Sequence, residues 1–175
     1  MITYISLLRG INVGGHKIAM PQLKELYQSL NFKHVKTYIQ SGNVLFETSG
    51  VPVEKLKEEI EVEIEKTFNL QVPVFILTIE ELKMIIENNP FPDENPRKIH
   101  VTFLSEPPVE RPVEEINGIK DGSEKFLIAK KEIYLFLPQG YGRTKLSNTF
   151  FERKLNLSAT TRNWRTVNKL YELAK

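Results

Sequence analysis

Apolar and polar positions recur along this 175-residue chain in two rhythms, one of period two and one near 3.6, and the changes of rhythm mark its elements. Ile2 to Leu8 is an apolar, β-branched and aromatic run, the pattern of a short strand. After a glycine-rich loop, Pro21 opens a helix in which Leu23, Leu26, Tyr27 and Leu30 recur at helical spacing. The stretch HVKTYIQSGNVLFET reads as two strands around a two-residue turn at Ser41-Gly42, pairing Gln40 with Asn43, Ile39 with Val44 and Thr37 with Phe46. In that register Val35, Thr37, Ile39, Val44 and Phe46 share a buried face, and Tyr38, Gln40, Asn43 and Leu45 share an open one. Val53, Leu56, Ile60, Ile64 and Phe68 mark a long helix, and VPVFIL is a fourth strand with Pro73 near its start. Thr78 and Glu81 have the spacing of a capping box ahead of a helix through Ile85 and Ile86, which the stretch NNPFPDENP ends.

The order then restarts. Ile99 to Leu104 is a strand, Val109 to Ile116 a short helix, and KFLIAKKEIYLFLP a hairpin turning at Lys130-Lys131. Ser147 caps a further helix, with Leu146 and Phe151 as a hydrophobic staple, and Trp164, Val167, Leu170, Tyr171 and Ala174 form a last amphipathic helix whose N-cap reads as Thr161. The expected fold is α+β, with a ferredoxin-like (βαββαβ) lobe and connecting helix over residues 1–96. A shorter βαββ-helix lobe with basic C-terminal helices follows over residues 97–175. The halves share element order without a residue-level match.

Composition narrows the chemistry. With no cysteine, disulfides, thiolate metal sites and cysteine nucleophiles are excluded, which fits a reducing cytoplasm. The N-terminus MITYISLLRG has no basic n-region and no small-residue cleavage site, so it reads as a strand and not as a signal peptide. No apolar run reaches the roughly 18 residues of a membrane span, and no membrane partner is expected. His16, His34 and His100 are widely spaced and lack carboxylates at metal-ligand intervals, so no metal and no cofactor is expected. Net charge is +2, distributed as +3 over residues 1–49, −7 over 50–137 and +6 over 138–175. The basic tail suits an anionic partner, a small phosphate-like ligand or nucleic acid, and equally suits docking on the acidic middle.

Candidate chemistry gathers in two places. The first is LLRGINVGGHK. Gly10 and Gly15 imitate the spacing of a phosphate-binding P-loop, but His16-Lys17-Ile18 stands where Lys and then Ser or Thr are required, and Asn12 occupies the second glycine of the dinucleotide fingerprint. In the split βαβ topology, strands one and two run parallel, so this loop and the Ser41-Gly42 turn meet at one sheet edge. Arg9, Asn12, Gly15, Tyr38, Gln40, Ser41 and Asn43 are the candidate ligand-binding residues there, together with the start of the first helix; the same polar residues could instead brace two loops.

The second place is the start of the last helix. Cations are normally unfavourable at a helix N-terminus, yet with Thr161 as cap, Arg162 and Arg165 fall in or near the first turn, where a bound anion would remove the conflict, as would pairing with carboxylates of the acidic middle segment or simple exposure to water. Asn163, and Arg143 and Lys145 from the GYGRTK loop, complete this second candidate set. Tyr38 and Leu45 on an open sheet face make a poor stacking platform for bases, so nucleic acid would be held by its backbone.

LLRGINVGGHKIAM, TYIQSGNVLF and TTRNWRTVNKL resemble, in the same order, signature stretches of the bacterial family called domain of unknown function 1697. The resemblance covers nearly the whole chain and implies a two-lobed α+β fold, and it names no activity or substrate. Where the family pattern reads Arg-Ser-Lys-Leu, this chain has Arg143-Thr144-Lys145-Leu146, which keeps a hydroxyl. Three functional expectations follow: binding of a small anionic ligand, catalysis on a phosphorylated small molecule, and nucleic-acid binding through the basic tail. No nucleophile paired with His16 is apparent, and catalytic residues are not assigned.

Overall fold

The computed structural model describes residues 1–175 and resolves the chain into two compact units, Met1–Lys83 with Leu170–Lys175, and Met84–Lys169. The division falls within a helix, and the proline-rich stretch after that helix lies inside the second unit. The fold is α+β, with two four-stranded antiparallel sheets and six α-helices. No helix is long and apolar enough to cross a membrane.

The first unit runs β1 (Ile2–Leu8), α1 (Met20–Ser29), β2 (Lys33–Tyr38), β3 (Asn43–Thr48), α2 (Val53–Phe68), β4 (Val74–Thr78) and the start of α3 (Ile79–Glu87). Its sheet order is β2-β3-β1-β4, so β3 separates β1 from β2 and splits the first βαβ unit. Alternation along β1 and β3 sends Tyr4, Val44 and Phe46 into a core with Leu23 and Tyr27 of α1 and Leu56, Ile60 and Ile64 of α2. Phe46 stacks on Phe32 at 4.5 Å and meets Tyr27 edge-on at 5.4 Å. The Tyr27 hydroxyl is satisfied by Ser6 Oγ at 2.6 Å, and burial pushes its pKa up. The opposite face is also covered: Leu45, expected on an open face, is 2% exposed, and Ile5 and Leu7 are buried with it.

The hairpin differs from expectation in its turn. Tyr38 pairs with Asn43 and Thr37 with Val44, so the turn has four residues, Ile39 to Gly42. A shift by two leaves the faces of Val35, Val44 and Phe46 unchanged, but Ile39 leaves the strand and is 50% exposed. The physical reason is that the turn is held from outside the hairpin: Leu8 N donates to Gly42 O at 2.9 Å and Asn12 Nδ2 to Gln40 O at 2.7 Å.

The second unit contains the end of α3, β5 (Ile99–Leu104), α4 (Val113–Ile119), β6 (Lys125–Ile128), β7 (Glu132–Phe136), α5 (Asn148–Leu155), β8 (Ala159–Asn163) and most of α6 (Trp164–Ala174). Two expectations shift. The helix expected from Val109 starts at Val113, because Pro107, Pro108 and Pro112 hold the chain extended before it, and Val109 is fully exposed. Thr161, expected as a helix cap, lies in β8, a strand beyond the expected βαββ-helix order that pairs with β5 from His100–Asn163 to Leu104–Ala159. β-branched Thr160 and Thr161 suit that pairing.

The sheet order β6-β7-β5-β8 therefore reproduces the order of the first sheet, and the correspondence extends to single hydrogen bonds. Leu8 N to Gly42 O at 2.9 Å has its counterpart in Leu104 N to Lys131 O at 2.9 Å, and Arg9 N to Pro73 O at 3.0 Å in Ser105 N to Ser158 O at 3.0 Å. Glu61 of α2 accepts from Val74 N at the start of β4, as Glu152 of α5 accepts from Ala159 N at the start of β8. Both helices end on a left-handed asparagine, Asn69 at φ 56° and Asn156 at φ 54°. The chain is thus two copies of one βαββαβ framework, each followed directly by a helix.

Candidate functional site

The first candidate site is built on the ends of β1 and β2. β1 stops at Leu8 because Gly10, at φ 73°, turns the chain out of the sheet. Asn12 follows in the left-handed region at φ 56°, and its side chain is committed to holding the loop. Its Oδ1 accepts from Ile18 N at 2.9 Å, while its Nδ2 donates to Ile18 O at 2.9 Å and to Gln40 O at 2.7 Å. Between these anchors the chain makes a small hairpin, with Asn12 N donating to His16 O at 2.6 Å and Val13 bridging to His16. Gly14 and Gly15 form its tip, and Gly14 takes φ 77°. Val13, Gly14, Gly15, His16 and Lys17 are all exposed.

The facing turn is braced in the same manner. Buried Asn43 donates through Nδ2 to Tyr38 O at 3.0 Å and to Ser41 Oγ at 2.9 Å. Gly42, at φ 80°, approaches the loop so closely that a Cβ there would stand 2.7 Å from Ile11 Cδ1 and 2.9 Å from Leu8 Cβ. Loop and turn therefore meet, as the topology predicts, but the amides of Asn12 and Asn43 brace backbone. Gly15, His16, Lys17 and Gln40 are exposed, Tyr38 and Ser41 are half-buried, and Arg9 is half-buried at the loop base. α1 starts without a side-chain cap: Ala19 precedes it, and Pro21, which has no N–H to offer, lies in its first turn.

The second candidate set lies within the second unit and has a different structure from the one expected. Asn163, the last residue of β8, is the cap of α6: its Oδ1 accepts from Thr166 N at 2.8 Å. Arg162 is consequently in a strand and not in a helical first turn. It is 7% exposed, its Nη1 donates to Thr160 Oγ1 at 2.7 Å and to Thr161 O at 3.0 Å, and burial pushes its pKa down to about 10. Thr161 Oγ1 lies 2.7 Å from Thr102 Oγ1 and donates to Asn148 Oδ1 at the start of α5. Asn148 N donates in turn to Tyr141 Oη at 3.0 Å, and the Tyr141 ring stacks on His100 at 5.6 Å. Burial holds His100 below the ordinary imidazole value. Of the expected cations only Arg143, Lys145 and Arg165 are exposed.

Sequence reasoning missed Thr102, Asn148 and Tyr141, which complete this network, and Ile39 in the first site. A signal for Asn148 was its place just after the capping Ser147. Ile39 had no local signal, since its exposure depends on a register set by contacts outside the hairpin.

Residues 1–134 match the family model described as "Protein of unknown function (DUF1697)". No curated protein matches the chain. Among solved structures, the conserved bacterial protein SP0830 from Streptococcus pneumoniae is similar over 99% of each chain, with a TM-score of 0.71 and 24% sequence identity. Likeness at that identity speaks to the fold.

Proposed function

Given that the chain belongs to the DUF1697 family of proteins of unknown function, we propose that it binds a small anionic ligand at the loop and turn of its first unit. A ferredoxin-like framework supplies the site, and the protein works in the cytoplasm, where the absence of cysteine is unremarkable. The observation that carries the reading is the contrast between frame and tip. Asn12 fixes the base of the loop, Asn43 braces the facing turn and Gly42 lets the two pack closely, while Gly14, Gly15, His16 and Lys17 are held out to solvent. Glycines permit close approach to backbone N–H groups, and Lys17 supplies charge in a stretch, residues 1–24, that contains no carboxylate. Titration of inorganic phosphate into the protein, followed through the Gly14 and Gly15 amide resonances, tests the reading. Saturable shifts that weaken in Lys17→Gln are expected; shifts that stay linear with concentration reject it.

A second reading, nucleic-acid binding through the basic C-terminal segment, draws on Arg143, Lys145, Arg153 and Arg165, all exposed. With Leu45 buried, no sheet face offers bases a stacking surface, so such binding would rest on phosphates alone. Retention on DNA or RNA that does not fall steeply with salt counts against it.

A further inference from the structure

Six residues other than glycine adopt positive φ, and four of them are asparagines, whose short polar side chain tolerates that conformation. Ile39 is different. A β-branched side chain at φ 49° is strongly disfavoured, and at 50% exposure it gains little core packing in return. The second copy of the framework provides an internal comparison. Its turn between β6 and β7 runs Ala129 to Lys131 and makes the equivalent bond to the end of β5, Leu104 N to Lys131 O at 2.9 Å, with no residue at positive φ. The framework therefore does not require the strained turn.

Val13, on the facing loop, is 72% exposed. Its neighbour Asn12 is bonded to Gln40, the neighbour of Ile39, at 2.7 Å, so the two exposed aliphatic residues flank one bonded pair. Lys17, exposed on the same loop as Val13, supplies positive charge in a stretch, residues 1–24, that contains no carboxylate. A bare inorganic anion would leave both aliphatic side chains unused. We propose that Val13 and Ile39 form the apolar half of the ligand site, so that the ligand is a phosphate ester carrying an aromatic or compact apolar group. This inference rests on the anion-binding reading above and specifies its substrate class.

Inorganic phosphate and phenyl phosphate, titrated separately and followed through the Gly14 and Gly15 amides, separate the two ideas. Phenyl phosphate is expected to bind about tenfold more tightly, the scale of burying a modest apolar area. In Ile39→Asn that preference should fall to near unity while the thermal midpoint rises, because asparagine relieves the backbone strain; Val13→Ser should reduce the preference without raising the midpoint. Equal affinity of the two probes for the wild type, or a preference that survives in Ile39→Asn, overturns the inference and leaves the anion site standing. Failure of both probes to shift the tip amides overturns both.

Discussion

At Gly42 the demands of backbone and packing coincide. The residue adopts φ 80°, and a methyl group on its α-carbon would press on Ile11 and Leu8 at under 3 Å. Neither neighbour can withdraw easily, since Ile11 and Leu8 are both buried. Gly42→Ala should cost about 2 to 4 kcal/mol in chemical denaturation, combining left-handed strain with overpacking; a loss under about 1 kcal/mol would mean that the loop and turn separate freely. His100 supplies a second test at this scale. Its folded pKa lies below the ordinary 6.5, so as pH falls through 6.5 the unfolded chain takes up a proton before the native protein does. Stability that is full at higher pH is therefore lost progressively below 6.5 until the native imidazole titrates. His100→Gln should flatten the decline of the thermal midpoint between pH 7 and 5 relative to wild type, and an unchanged slope would show that the ring is free to protonate. Among the site residues, what could be read from sequence was polarity and neighbourhood. Which atoms face outward was not legible, because the inward commitment of Asn12 and Asn43 follows from backbone geometry that only the assembled loop defines.

At the scale of elements, the starts of α3 and α5 were legible because their signals are local. Thr78 and Glu81 do exchange capping bonds, at 2.8 and 3.2 Å, and Ser147 Oγ accepts from Phe150 N. β8 was not, because nothing separates it from the helix that follows: Asn163 ends the strand and caps α6 in one residue. Without glycine or proline to punctuate TTRNWRTV, either Thr161 or Asn163 could cap the helix, and pairing with β5, distant in sequence, decides between them. Asn163→Ala should therefore lower stability by about 1 kcal/mol and speed amide exchange at Thr166. If Thr161→Ala alone produced that local fraying, the assignment of the cap would be wrong.

At the scale of the whole molecule, the repeated element order was legible from hydrophobic rhythm. The depth of the repetition was not, because its shared features are backbone hydrogen bonds and helix-ending asparagines carried by different neighbouring residues. The make-up of the units has a consequence for the order in which they can be completed. Leu170 to Lys175 cluster with the first unit, and Leu170 and Ala174 are buried. On a ribosome the first eighty or so residues emerge early, yet the segment that finishes their unit is made after the entire second unit has been translated. Vectorial synthesis thus cannot finish one unit before beginning the next, as chains of independent domains do. The last six residues, with buried Leu170 and Ala174 among them, therefore join the first unit only once the whole chain has been made.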